Sequence, residues 1–117
     1  MGKLSTHVLD ITIGKPGAGV AVDLYAIHSN GKTHLKSAIT NADGRCDAPL
    51  LQGDEMVAGL YELVFGAGDY FASKGVEMPT PRFIDKVTIA FGIADVEANY
   101  HVPLVVSPWA YSTYRGS

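Results

Sequence analysis

Cysteine is almost missing from this chain: Cys46 is the only one in 117 residues. One thiol cannot close an internal disulfide, so a disulfide framework is excluded and a reducing compartment fits. No apolar run approaches the roughly 18 residues that a membrane-spanning helix needs. The start, Met1-Gly2-Lys3-Leu4-Ser5, lacks the apolar stretch of a secretory signal. An excess of positive charge is absent too. The formal net charge of -3 speaks against nucleic acid or an anionic membrane as partner, since both attract basic patches. These absences together make the cytoplasm the expected location. Linkers, low-complexity segments and internal repeats are also lacking, so residues 1–117 read as a single domain. Apolar material is plentiful: 47% of the residues are hydrophobic, enough for a core and part of an interface. A domain of this size buries roughly two thirds of its unfolded surface.

Turn residues punctuate the chain at about eight- to twelve-residue intervals, the spacing of an all-β sandwich. Thr6 to Ile13 alternates, with Leu9, Ile11 and Ile13 on one face and Thr6, Asp10 and Thr12 on the other. Further strands are expected over Val20–Ile27, Thr33–Thr40, Leu60–Phe65, Lys86–Ile93, Asn99–Val106 and Trp109–Tyr114. Asn41-Ala42-Asp43-Gly44 makes a tight turn with Gly44 free to take positive φ, and Arg45 opens a fourth strand beside it. The one short helix spans Gly68 to Lys74, with Gly75 as its C-cap.

Few side chains bear chemistry. By spacing alone, His7 is a structural histidine on the Leu9–Ile11 face, and Arg45 is a solvated turn residue. His101 shares its face with Pro103 and Val105, and Pro103, which cannot donate a ladder hydrogen bond, suggests an interrupted or edge-like strand. His28 and His34 flank an exposed hairpin and read as surface residues. Cys46 should face away from Arg45 and stay inert. Zinc wants three or four ligands, usually with a close pair on one element, and His7 and His101 are far apart with no carboxylate at ligand spacing. No metal and no cofactor are expected.

Three segments change the reading of these residues. Ser5-Thr6-His7-Val8-Leu9-Asp10, Asp43-Gly44-Arg45, and the closing string His101-Val102-Pro103-Leu104 through Tyr114-Arg115-Gly116-Ser117 closely resemble the signatures of the 5-hydroxyisourate hydrolases, the transthyretin-related enzymes of urate breakdown. The likeness extends over essentially the whole chain, and the departures, such as Trp109 and Gly17-Ala18, fall between the motifs.

The resemblance implies an all-β, transthyretin-like sandwich of two sheets of about four strands with one short helix, assembled as a homotetramer. Clefts would form where dimers meet. It implies hydrolysis of 5-hydroxyisourate to 2-oxo-4-hydroxy-4-carboxy-5-ureidoimidazoline, with His7 and His101 as active-site imidazoles, either of which could be the general base. Arg45 would bind the flat, oxygen-rich ring, because a planar guanidinium can grip two heteroatoms at once. Tyr114, Arg115 and Gly116 would help to hold the substrate, and Ser117, by hydroxyl or terminal carboxylate, would orient the catalytic groups. The alternative is a non-enzymatic transthyretin-like carrier of a hydrophobic hormone. Imidazoles, a guanidinium and a phenol on the channel wall weigh against it. A structural β-sandwich without a site is opposed by the same clustering.

Overall fold

The computed structural model describes residues 2–117. In chain order the strands are β1 (Lys3–Asp10), β2 (Lys15–Pro16), β3 (Ala21–His28), β4 (Gly31–Ile39), β5 (Leu51–Gln52), β6 (Gly59–Phe65), β7 (Val87–Ile93), β8 (Tyr100–Val106) and β9 (Tyr111–Thr113). A short helix, α1 (Ala67–Ser73), lies between β6 and β7. One sheet runs β2–β1–β8–β9 with β5 also on β1, and the other runs β4–β3–β6–β7. The expected sandwich of two sheets with one short helix is what the chain forms. Among the described residues no helix is long and apolar enough to cross a membrane.

Period-two alternation builds the core. Leu4 and Val8 of β1 and Val102, Leu104 and Val106 of β8 face Val22, Leu24, Leu63, Phe65, Val87 and Ile89 of the second sheet, all of them buried. Each such side chain contributes roughly 1.5–3 kcal/mol by leaving water. Helix α1 closes one end by burying Ala67, Tyr70 and Phe71, and Gly75 beyond it takes φ +77, as a C-cap glycine does.

The core face of β1 is the reverse of the one expected. Thr6 and Asp10 are buried with Leu4 and Val8, while Ile11 and Ile13 lie beyond the strand end and are 53% and 56% exposed. The buried polar groups are satisfied. Thr6 Oγ1 donates to the Val102 carbonyl at 2.6 Å. Asp10 Oδ2 accepts the Tyr70 hydroxyl at 2.7 Å, and Asp10 Oδ1 accepts the Thr12 amide at 2.9 Å. His7 therefore sits on the outer face of the first sheet, away from the core.

Two further expectations are refined. Arg45 opens no strand; it makes a single antiparallel bridge to His7. β8 is not an edge, since it lies between β1 and β9. It is nevertheless interrupted. His101 and Gly116 exchange both backbone hydrogen bonds, at 3.1 and 2.7 Å. The next pair of that kind in the same register is Pro103 with Tyr114, where proline has no N–H to give. Regular β9 accordingly ends at Thr113.

The Asp10–Tyr70 contact ties β1 to α1. Burial, then the bond to Asp10, pushes the Tyr70 phenol up to about 12 from its ordinary 10.0. The contribution is fully present below pH 10 and is lost as pH rises from there through about 12. Tyr70→Phe leaves a buried carboxylate oxygen without its donor and should cost about 1–3 kcal/mol. Denaturant unfolding at neutral pH measures this, and an unchanged midpoint would contradict the account.

Candidate active site

The site grows from one register. β1 runs parallel to β8 with Ser5 beside His101, His7 beside Pro103 and Leu9 beside Val105. The even-numbered residues of both strands enter the core, so these odd-numbered ones share the outer face. β9 lies antiparallel on β8 with Thr113 opposite Leu104, and the bridge from Gly116 to His101 keeps that register. Tyr114 thus stands across from Pro103, and Arg115 across from Val102. From the other side of β1, Arg45 bridges His7. Two rows cross the sheet side by side: Arg45, His7, Pro103, Tyr114, and Ser5, His101, Gly116.

His7 and His101 are diagonal neighbours on adjacent strands, with ring centroids 6.5 Å apart and planes tilted by 36°. They can reach one bound molecule together. Arg45 is delivered by the turn before it. Asn41 Oδ1 accepts the amides of Asp43 and Arg45 at 2.9 and 3.2 Å, and the Gly44 amide donates to the Asn41 carbonyl at 2.9 Å. Gly44 takes φ +74, and a Cβ there would collide with the Val8 carbonyl oxygen. That close approach lets the Val8 amide donate to the Gly44 carbonyl at 2.8 Å. Only glycine serves at this position.

Both imidazoles are held below the ordinary 6.5. For His7 the main cause is burial, then the Arg45 charge, opposed by a hydrogen bond to the Asp43 backbone and by the Asp43 charge. For His101 the causes are burial, Arg45 and His7, in that order. Both rings are therefore neutral at pH 7, beside an exposed guanidinium that pairs with no carboxylate among the described residues. Lys3, Ser5, Arg45, Asn99, His101 and Ser117 line an open cleft that takes in Arg45 and His101 but not His7. Neutral imidazoles can take a proton from water, and the two cations can hold an oxygen-rich anion.

The tail closes the row. A Cβ on Gly116 would stand 3.1 Å from His101 Cβ and 3.3 Å from its Cδ2, so a bare Cα is what fits against this imidazole. Ser117 reaches the cleft. Tyr114 is 64% exposed, with no hydrogen bond to its hydroxyl among the described residues, and the hollow it lines is a different one, shared with Ile89, Phe91, Tyr100 and Arg115. Arg115 goes the other way. Its guanidinium lies 4.5 Å from the Tyr100 ring centre and donates to the Asn99 carbonyl at 3.0 Å, on the face opposite His101. The residues that spacing did not single out are Lys3, Ser5 and Asn99. Ser5 shares the parity of His7, and that was the available signal.

The other serine, histidine and aspartate cluster is not a relay. His34 Nε2 lies 3.0 Å from Asp23 Oδ1 and 2.9 Å from Ser37 Oγ, and Ser37 also bonds Asp23 directly. A relay needs the carboxylate on one ring nitrogen and the hydroxyl on the other. His34 lies within β4 and is exposed as expected, and so is His28 at the end of β3. Cys46 is half-buried, with its thiol pushed up by burial and then by Asp47. No group of three or more metal-ligating side chains occurs among the described residues.

Fold and site together define a transthyretin-like β-sandwich that carries an imidazole pair and a guanidinium on the outer face of one sheet. The chain belongs to the HIUase/Transthyretin family, whose model matches residues 4–116. It is 56% identical over 117 residues to the 5-hydroxyisourate hydrolase of Ralstonia nicotianae, covering 100% of each chain. It resembles the solved (S)-allantoin synthase with a TM-score of 0.94 at 41% identity, covering 99% of this chain but only 44% of that longer one. With the 5-hydroxyisourate hydrolase of Klebsiella pneumoniae the TM-score is 0.83 at 36% identity, covering 100% of both.

The electrostatics can be tested by imidazole titration in NMR. His7 and His101 should both titrate below 6.5, and Arg45→Ala should raise both, because it removes a cation that opposes their protonation. Across that window the unfolded chain binds more protons, so stability falls as pH drops below 6.5 and levels off once the folded imidazoles are charged. Titration of either ring above its ordinary value would refute this picture.

Proposed function

We propose that this protein hydrolyses 5-hydroxyisourate, opening its six-membered ring at the lactam to give 2-oxo-4-hydroxy-4-carboxy-5-ureidoimidazoline. One observation carries the reading: two imidazoles kept neutral at pH 7 stand 6.5 Å apart beside the unpaired Arg45, in a chain whose full-length relative from Ralstonia nicotianae is named for this reaction.

The chemistry follows from the partners of each ring. Asp43 offers its backbone carbonyl to His7. A carbonyl only accepts, so the proton of the neutral ring stays on that side and the other nitrogen is free to act as base. His7 takes a proton from water while the water oxygen joins the lactam carbon. Arg45 grips the planar ring and balances the charge that builds on the carbonyl oxygen. The C–N bond then breaks; the bare nitrogen of neutral His101 picks up a proton from solvent and delivers it to the leaving nitrogen, while His7 returns its own proton to solvent. General acid–base help of this kind contributes about 10²–10⁴-fold. Ser117 at the cleft mouth and Gly116 against His101 hold the tail in place, and Tyr114 flanks the ring. Arg115 acts through the tail, by anchoring it to Tyr100 and Asn99.

The ultraviolet decay of freshly prepared 5-hydroxyisourate, with and without protein, is the direct test. His7→Ala, Arg45→Ala and His101→Ala should each lower kcat/KM by about 10²-fold or more with the circular dichroism spectrum unchanged. His28→Ala should stay within about twofold, as surface substitutions do. Wild-type rates in all three site variants would overturn the assignment.

The working form is a homotetramer in the cytoplasm. Ile11, Ile13, Trp109 and Tyr111 are 53%, 56%, 58% and 49% exposed, more apolar surface than a solitary sandwich leaves open to water. Closed symmetry is the common way to cover such a surface. Light scattering should report four chains per particle. A fully active monomer at assay concentration would refute the shared cleft.

A further inference from the structure

Ser5 Oγ lies 2.8 Å from His101 Nδ1. No other hydrogen bond to the His101 ring occurs among the described residues. The contact follows from register, because Ser5 and His101 are directly paired in the β1–β8 ladder and face the same way. On the far side of the imidazole stands Gly116, whose missing Cβ would fall 3.3 Å from His101 Cδ2. The ring is thus held between a hydroxyl on β1 and a bare Cα on the tail. With Nδ1 engaged against β1, Nε2 is the nitrogen left for the cleft.

The two imidazoles have partners of different chemistry. The Asp43 carbonyl beside His7 only accepts, which favours a proton on the His7 nitrogen that faces it. A serine hydroxyl can accept from Nδ1–H or donate to a bare Nδ1 by rotating its own O–H. The His101 ring can therefore keep this hydrogen bond in either tautomer and when protonated.

We propose that Ser5 is a positioning residue for His101: its hydroxyl holds Nδ1 and aims Nε2 at the substrate, accepting from Nδ1–H while Nε2 takes up and hands on a proton. This rests on the hydrolase reading above. The balance is simple. The resting ring is neutral, with Nδ1–H donating to Ser5 Oγ and Nε2 bare; Nε2 takes a proton from solvent, passes it to the leaving nitrogen and is bare again, while His7 returns to solvent the proton it took from water. Ser5 touches no reacting atom, so its effect falls on turnover rather than on substrate affinity.

The test uses the full chain and freshly prepared 5-hydroxyisourate, with Ser5→Ala and Ser5→Thr. Loss of a partner that orients a working imidazole costs about 10–100-fold in known sites. Ser5→Ala should therefore lower kcat by about that factor with KM within about twofold, and Ser5→Thr, which keeps a hydroxyl on the strand, should recover most of the loss. Independently of activity, the ¹⁵N resonance of His101 Nδ1 in the substrate-free protein should move in Ser5→Ala. Wild-type kcat in Ser5→Ala, or an unmoved Nδ1 resonance, overturns the proposal. If the wild-type protein leaves the decay of 5-hydroxyisourate unchanged, the hydrolase reading fails instead, and the proposal falls with it.

Discussion

The parallel ladder between β1 and β8 is the constraint on which the rest depends. It pairs seven consecutive positions, from Leu4 with Tyr100 to Asp10 with Val106. Side chains alternate with a period of two, so a slip of one residue would turn every inner side chain outward. Leu4, Val8 and Leu104 are fully buried, and Val102 and Val106 nearly so. At roughly 1.5–3 kcal/mol for each, burial on the inner face fixes the diagonal of His7 and His101 on the outer face. Hydrophobic packing on one side of a sheet thereby sets the geometry of polar chemistry on the other.

Interruptions along the neighbouring edges do the remaining work. The far side of β1 is capped in three pieces: β5 at Lys3 and Leu4, Arg45 at His7, and β2 at Leu9 and Asp10. A continuous strand there would fill the edge with ladder hydrogen bonds. The turn instead brings in a single residue, Arg45, at the level of His7. Pro103 makes the matching break on the β9 side, freeing Tyr114 from the ladder, and Gly116 then rejoins at His101. Proline and glycine act here by what they lack, an N–H in one case and a Cβ in the other.

Much of this was legible in the sequence. Alternation placed most strands, Gly44 marked its turn, and Gly75 marked the end of the helix. The motifs carried His7, Arg45 and His101. The inner face of β1 was not legible, because both parities contain apolar residues: Leu4 and Val8 on one, Leu9, Ile11 and Ile13 on the other. Only the opposing sheet decides between them, and it buries Thr6 and Asp10 because Val102 and Tyr70 supply their partners. The loss of a strand at Arg45 was hidden for a related reason, since local pattern does not report which edge a segment meets. The hydrogen bond between Ser5 and His101 joins residues 96 apart in sequence, and no local signal announces such a pair.

The reversed face of β1 has a consequence for how stability and reactivity coexist. The polar groups inside the sandwich, Thr6, Asp10 and Thr40, are each hydrogen-bonded, and no buried side-chain nitrogen or oxygen lacks a partner among the described residues. The imidazoles of His7 and His101 lie outside, where a change of protonation would leave the core undisturbed. A neutral imidazole pair still requires some shelter from water, and burial is the largest cause of the lowered titration of both rings. One chain shelters them only halfway. Whatever covers this face removes more water and drives the two rings further toward neutrality, provided that it brings no carboxylate with it. The same covering leaves the planar Arg45 guanidinium beside them, and so widens the contrast between neutral rings and cation.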